Sequence, residues 1–149
     1  MAVSMWDPSL RASFAERLRR LSPESKGAWG KLDASGMLAH LNDSYRMFFG
    51  DLAVKPRSGP LRYTPIKQLV IYVLPFPKSV PTAPELLVRC DGAVLEDEKA
   101  AFTQMLERLS AIQPNGPLRP HPAFGLLTHK AYGTLMGRHT DHHFRQFGL

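Results

Sequence analysis

The sequence predicts an all-α fold, a four-helix bundle with a long Pro-rich crossover between helices 2 and 3. Three observations predict it. Four segments repeat apolar residues every three or four positions, the spacing of a helix with one buried face. No segment alternates apolar and polar residues as a half-buried strand would. Seven of the thirteen prolines fall within residues 51–93, between the second and third of those segments.

Asp7-Pro8 opens the first helix. Asp is a good N-cap, and Pro is tolerated at the first helical position because the missing N–H has no partner there. Leu10, Phe14, Leu18 and Leu21 make one stripe, and Ser22-Pro23 is expected to end it. A polar stretch, Glu24 to Lys31, carries Trp29-Gly30. Asp33 then caps a second helix expected to reach Phe49, with Met37, Leu38, Leu41, Tyr45, Phe48 and Phe49 on its apolar side and Gly50 as terminator. Thr64-Pro65 is expected to start a short helix through Ile66, Leu69, Val70 and Val73, stopped by Pro75 and Pro77. Lys78 to Arg89 reads as an extended crossover packed over the bundle. The third long helix is expected from Leu95 to Ile112, with Glu96, Asp97 and Glu98 favouring its N-terminus. Pro114-Asn115-Gly116-Pro117 is a turn. Thr128 caps the fourth long helix, which runs through Leu135, Met136 and His139 to about Phe147.

A chain of 149 residues fits one domain, residues 1–149, and can bury roughly 70% of its unfolded surface without disulfides. Cys90 is the single cysteine, so no internal disulfide is possible, and a lone thiol fits a reducing compartment. The N-terminal residues lack a basic region followed by an apolar core, so no signal peptide is expected, and no apolar run approaches the ~18 residues of a membrane span. The expectation is a cytoplasmic protein. The net charge of +6 is dispersed, densest at Arg17, Arg19 and Arg20, without aromatic residues interleaved among the cations. Nucleic acid is therefore not the expected partner.

The six histidines carry the chemistry: His40, His121, His129, His139, His142 and His143. His139 and His143 lie four apart on a helix, where side chains share a face and two imidazoles can converge on one ion. His40, beside the buried stripe of the second helix, is the natural third ligand, since bundle cores build metal sites from facing helices. His142, three residues from His139, is the alternative to His143. His121 and His129 read as surface or capping residues. Asp43, Asp141 and Gln146 are candidates for orienting the ligands from behind.

Met37-Leu38-Ala39-His40-Leu41-Asn42-Asp43 and the spacing His139 to His143 resemble the DinB/YfiT-like metalloenzyme superfamily. Trp29-Gly30, His121-Pro122-Ala123-Phe124-Gly125 and the ending His142-His143-Phe144-Arg145-Gln146-Phe147 resemble a branch of it known mainly as a domain of unknown function. The resemblance covers Trp29 to the C-terminus. It implies a four-helix bundle with a long crossover and a zinc or nickel ion on three histidines, which fall on His40, His139 and His143. It also implies a low-molecular-weight thiol as a cosubstrate of related S-transferases.

Three neutral imidazoles leave coordination positions open, the mark of a catalytic site. A water or an incoming thiol could lose its proton there. The expected function is that of a divalent-metal-dependent hydrolase or thiol-dependent S-transferase acting on a small-molecule substrate. The alternative is a non-catalytic, metal-stabilised binding module. Exposed apolar residues in the crossover would suit a homodimer.

Overall fold

The computed structural model describes residues 3–78, 81–113 and 115–149. Ser79 and Val80 of the expected crossover, Pro114 of the expected turn and the first two residues of the N-terminal reading lie outside the described residues. The described residues form five α-helices and contain no strand: α1 Pro8–Leu18, α2 Ala34–Phe49, α3 Ile66–Tyr72, α4 Leu95–Ser110 and α5 His129–Gln146. Short 3₁₀ turns at Pro60–Arg62 and Pro84–Leu86 punctuate the crossover.

The capping chemistry read from the sequence sets four of the helix starts and stops. The Asp7 carboxylate accepts from Ser9 N, that of Asp33 from Gly36 N, and the Thr128 hydroxyl from Ala131 N. Gly50 sits at φ 81°, and the following Asp51 N–H reaches back to Arg46 O, the left-handed cap that glycine adopts without a Cβ penalty. α1 is shorter than its stripe suggested. It ends at Leu18, and Leu21 is reached through tighter turns (Arg20 N to Arg17 O, Leu21 N to Leu18 O) that still bury its side chain. α4 likewise stops at Ser110 rather than Ile112.

α2 is the enclosed helix, with every residue from Gly36 to Asp43 buried. It lies along α4, which also packs against α1. The main core joins Phe14, Leu38, Leu41, Phe102, Leu109 and Phe144, among others. The N-terminal segment crosses α5 at Gly133: Met5 N donates to Gly133 O, and a Cβ there would strike the Trp6 ring.

α3 corrects the sequence reading most. Of the residues through which the helix was traced, Ile66, Leu69 and Val73 are exposed and Val70 is partly buried, and it is Ile71 that is fully buried, with Phe124, Ala131 and Leu135. The helix is held from outside its own pattern. The Arg138 guanidinium on α5 donates to the carbonyls of Val70, Ile71 and Leu74, the end groups that a short helix leaves unpaired. No helix of the described residues is long and apolar enough to cross a membrane.

Candidate metal centre

His40 lies midway along α2 and is 4% exposed, while His139 and His143 lie one turn apart on α5 and are half-buried. The three side chains, ninety-nine or more residues apart across the two helices, meet face to face. Each offers one ring nitrogen, and those atoms all lie within 4.8 Å of one another. The His40 and His139 Nε2 atoms are 3.3 Å apart. Two imidazoles on one tetrahedral ion, at the usual Zn–N length of about 2.0–2.1 Å, would hold their nitrogens roughly 3.3–3.4 Å apart. The donor set therefore fits a divalent ion, and the His40–His139 pair already has the spacing such an ion takes.

The outward nitrogens decide which way the lone pairs point. His40 Nδ1 lies 3.3 Å from the Leu86 carbonyl, a group that can only accept, so Nδ1 carries the proton and Nε2 is left free toward the centre. His143 Nδ1 lies 2.8 Å from Gln146 Oε1, and the Gln146 amide in turn donates to the Trp29 carbonyl at 2.6 Å. Again Nε2 is the free nitrogen. Burial lowers the His40 pKa below its ordinary value, against the smaller raising effects of the Leu86 carbonyl and Asp43. His139 is pushed well below the usual range, first by burial and then by the neighbouring imidazoles of His143, His40, His142 and His121. His143 is pushed down to about 3, mainly by burial and then by His40, with the Gln146 bond opposing. All three are neutral at pH 7, the protonation state a metal requires.

His142 is not brought into the trio. Its ring stacks against Trp29 (centroids 5.4 Å) and Phe76 (5.9 Å), forming the mouth of the site beside His143. Phe76 also lies 6.3 Å from the His139 ring. Two cations overlie this aromatic rim, Lys78 above Trp29 at 4.9 Å and Arg138 above Phe76 at 5.1 Å. An open cleft of about 440 Å³, lined by Val73, Phe76, Arg138, His142 and Arg145 among others, runs outward from it.

Two expected supporting residues are placed elsewhere. Asp43 pairs with Arg46 at 2.9 Å and Arg89 at 3.0 Å, and Asp141 with Arg17 at 2.8 Å and Arg145 at 2.7 Å. Arginines neutralise both carboxylates, and Asp43 acts on His40 through its charge. His121 is not a surface residue. It is half-buried in a tight turn, its Nδ1 accepting from the Ala123 and Phe124 amides, and burial lowers it to about 4. His129 opens α5, with its Nε2 at 2.9 Å from the Gly116 carbonyl and its ring against Trp6. Sequence reasoning missed the carbonyls of Leu86 and Trp29. The two glycines flanking Trp29 were the available signal: a Cβ on Gly30 would lie 2.7 Å from Gln146 Nε2.

No curated protein and no solved structure matches the chain. One family does, over residues 8–148, and nothing ties the chain to the DinB/YfiT-like superfamily that its motifs resemble. The resemblance does not hold as a family assignment: a pair of histidines three or four apart facing a third is what helix geometry favours for any three-histidine site on two helices, so the pattern does not identify a lineage. The chain belongs to the family described as protein of unknown function, DUF1569.

Proposed function

We propose that His40, His139 and His143 hold one divalent ion, zinc or nickel, and that the protein is a metal-dependent enzyme acting on a small molecule, as a hydrolase or a thiol-dependent S-transferase. The observation that carries this reading is the pair of outward bonds, His40 to Leu86 and His143 to Gln146, which turn two free nitrogens toward the same point as His139. Imidazole suits both metals. When bound, the ion would supply Lewis acidity to a water or thiol at an open position. The chain's own residues would do the rest. Trp29, Phe76 and His142 narrow the approach and exclude bulk water, and Lys78 draws anionic groups to the mouth. We further read α1, α2, α4 and α5 as a four-helix bundle, with α3 belonging to the crossover and covering α5.

One observation favours a second reading, a metal-stabilised binding module. The three ligands join α2 to α5, so the ion would act as a cross-link between helices from distant parts of the chain. The two readings separate on whether added anions or thiols enter the ion's coordination.

The test is the metal content, by elemental mass spectrometry, of untagged protein purified without immobilised metal, beside His40→Ala and His143→Ala. Near-stoichiometric zinc or nickel in the parent, lost from both variants, is expected. A parent that neither contains nor takes up either metal at pH 7.5 overturns the proposal.

A further inference from the structure

The groups behind the ligands carry no charge. Gln146 is 4% exposed and is gripped by the loop before α2. Ala28 N donates to its backbone carbonyl at 2.7 Å, Trp29 O takes its amide N–H at 2.6 Å, and the absent Cβ atoms of Gly27 and Gly30 leave the room its side chain occupies. The orientation of the amide is set from outside, because only an NH₂ group can face the Trp29 carbonyl. Its oxygen therefore faces His143. His40 is held the same way by a backbone carbonyl. The nearby carboxylates, Asp43 and Asp141, are each paired with two arginines.

A divalent ion on three neutral imidazoles with this surround would keep both of its charges. Metal-bound histidines commonly have a carboxylate behind them, which offsets part of that charge. Here the mouth adds charge of the same sign, from Lys78 and Arg138, on an aromatic rim that excludes water. An uncompensated charge in such a place is costly until an anion joins it.

We propose that Gln146 is a positioning residue that fixes His143 through an uncharged link anchored on the Trp29 carbonyl, and that the neutral surround so built makes the centre a receptor for a small monoanion of the carboxylate type. This rests on the metal reading above and adds the class of ligand and the residue that sets it.

Cobalt(II) is the probe, loaded into the untagged full-length parent, Gln146→Glu and Gln146→Met. Its visible spectrum is titrated with acetate and with azide, and cobalt affinity is measured by chelator competition. The parent spectrum should shift saturably with both anions. Gln146→Glu should keep or raise cobalt affinity and bind the anions about tenfold more weakly or worse, because one added negative charge lies close behind the ligand. Gln146→Met should lose roughly 10- to 100-fold in cobalt affinity. A merely structural glutamine would lower the melting temperature of both metal-free variants without separating anion affinity from metal affinity. Anion binding in Gln146→Glu equal to the parent's, or unchanged cobalt affinity in Gln146→Met, overturns the proposal. A parent that takes up no cobalt, zinc or nickel overturns the metal reading itself, and shows it before any variant is compared.

Discussion

Arg89 offers the sharpest test of how the crossover is tied to the helices. Its guanidinium bridges Asp43 of α2 and Glu98 of α4, at 3.0 and 2.7 Å, and those carboxylate side chains are 2% and 7% exposed. Arg89→Met would keep most of the aliphatic stem and leave both carboxylates short of a cation. Breaking a buried pair from one side costs about 3–5 kcal/mol. Arg89 is itself 40% exposed, Asp43 retains Arg46 and Glu98 retains Asn42, so about 2–3 kcal/mol is the better figure here. For a chain of this size that is a fall in melting temperature of roughly 4–12 °C. Urea unfolding of the metal-free proteins at pH 7.5 would measure it. Arg89→Met/Glu98→Gln should recover part of the loss, because the glutamine amide carries no charge to leave unpaired. A variant within about 0.5 kcal/mol of the parent at pH 7.5 would place Arg89 among ordinary surface pairs. A double variant no more stable than Arg89→Met would refute the argument.

Three further outcomes are expected. His142→Ala should keep the metal stoichiometry of the parent by elemental analysis; loss of metal there, with retention in His143→Ala, would transfer the third ligand to His142. The burial that lowers His121 from 6.5 to about 4 makes the folded chain refuse a proton that the unfolded chain accepts, so the His121 share of stability is unaffected above pH 6.5 and falls by about 1.4 kcal/mol per pH unit down to about 4, added to the falls of the same sign from His40, His139 and His143. His121→Asn, which keeps an acceptor for the Ala123 and Phe124 amides without ionising, should lose that slope in pH-dependent unfolding of the metal-free protein, and an unchanged slope would acquit His121. Gly30→Ala places a Cβ 2.7 Å from Gln146 Nε2 at a φ of +79° and should cost about 1–3 kcal/mol. A circular dichroism melt within error of the parent would show that the loop gives way without penalty.

The helices were legible in the sequence because their signals are local. Asp33, Gly50 and Thr128 act within four residues of where they stand, and the stripe of α2 buries the residues its spacing picks out. The trio was legible for the same reason: two of its members lie one turn apart, and the third is on the buried side of the enclosed helix. What was not legible is what other segments do to an element. The face of α3 is chosen by Phe124, Leu135 and the Arg138 clamp, from elsewhere in the chain, whereas its own apolar residues, Ile66, Leu69, Val70 and Val73, did not single out Ile71. Asp43 looked like a supporter of His40 by spacing, yet Arg89, forty-six residues on, takes it. The Leu86 carbonyl leaves no mark in the sequence, and that of Trp29 leaves only the glycine beside it, Gly30.

Those two carbonyls also bear on dynamics. The histidines stand on rigid helices, but the groups that orient them lie in loops, the Pro84–Leu86 turn and the segment around Trp29. Loop backbone opens more readily than helix backbone. An ion that needs His40 and His143 oriented binds the state in which both loops are closed, so by linkage it stabilises that state. Metal should then slow amide exchange in residues 27–30 and 84–90 by a larger factor than in α4, which supplies none of the three ligands. Exchange followed by mass spectrometry, with and without zinc, measures the two factors. Uniform protection across α4 and the loops would mean that the ion stabilises the whole fold and that the loops hold no special place in its binding.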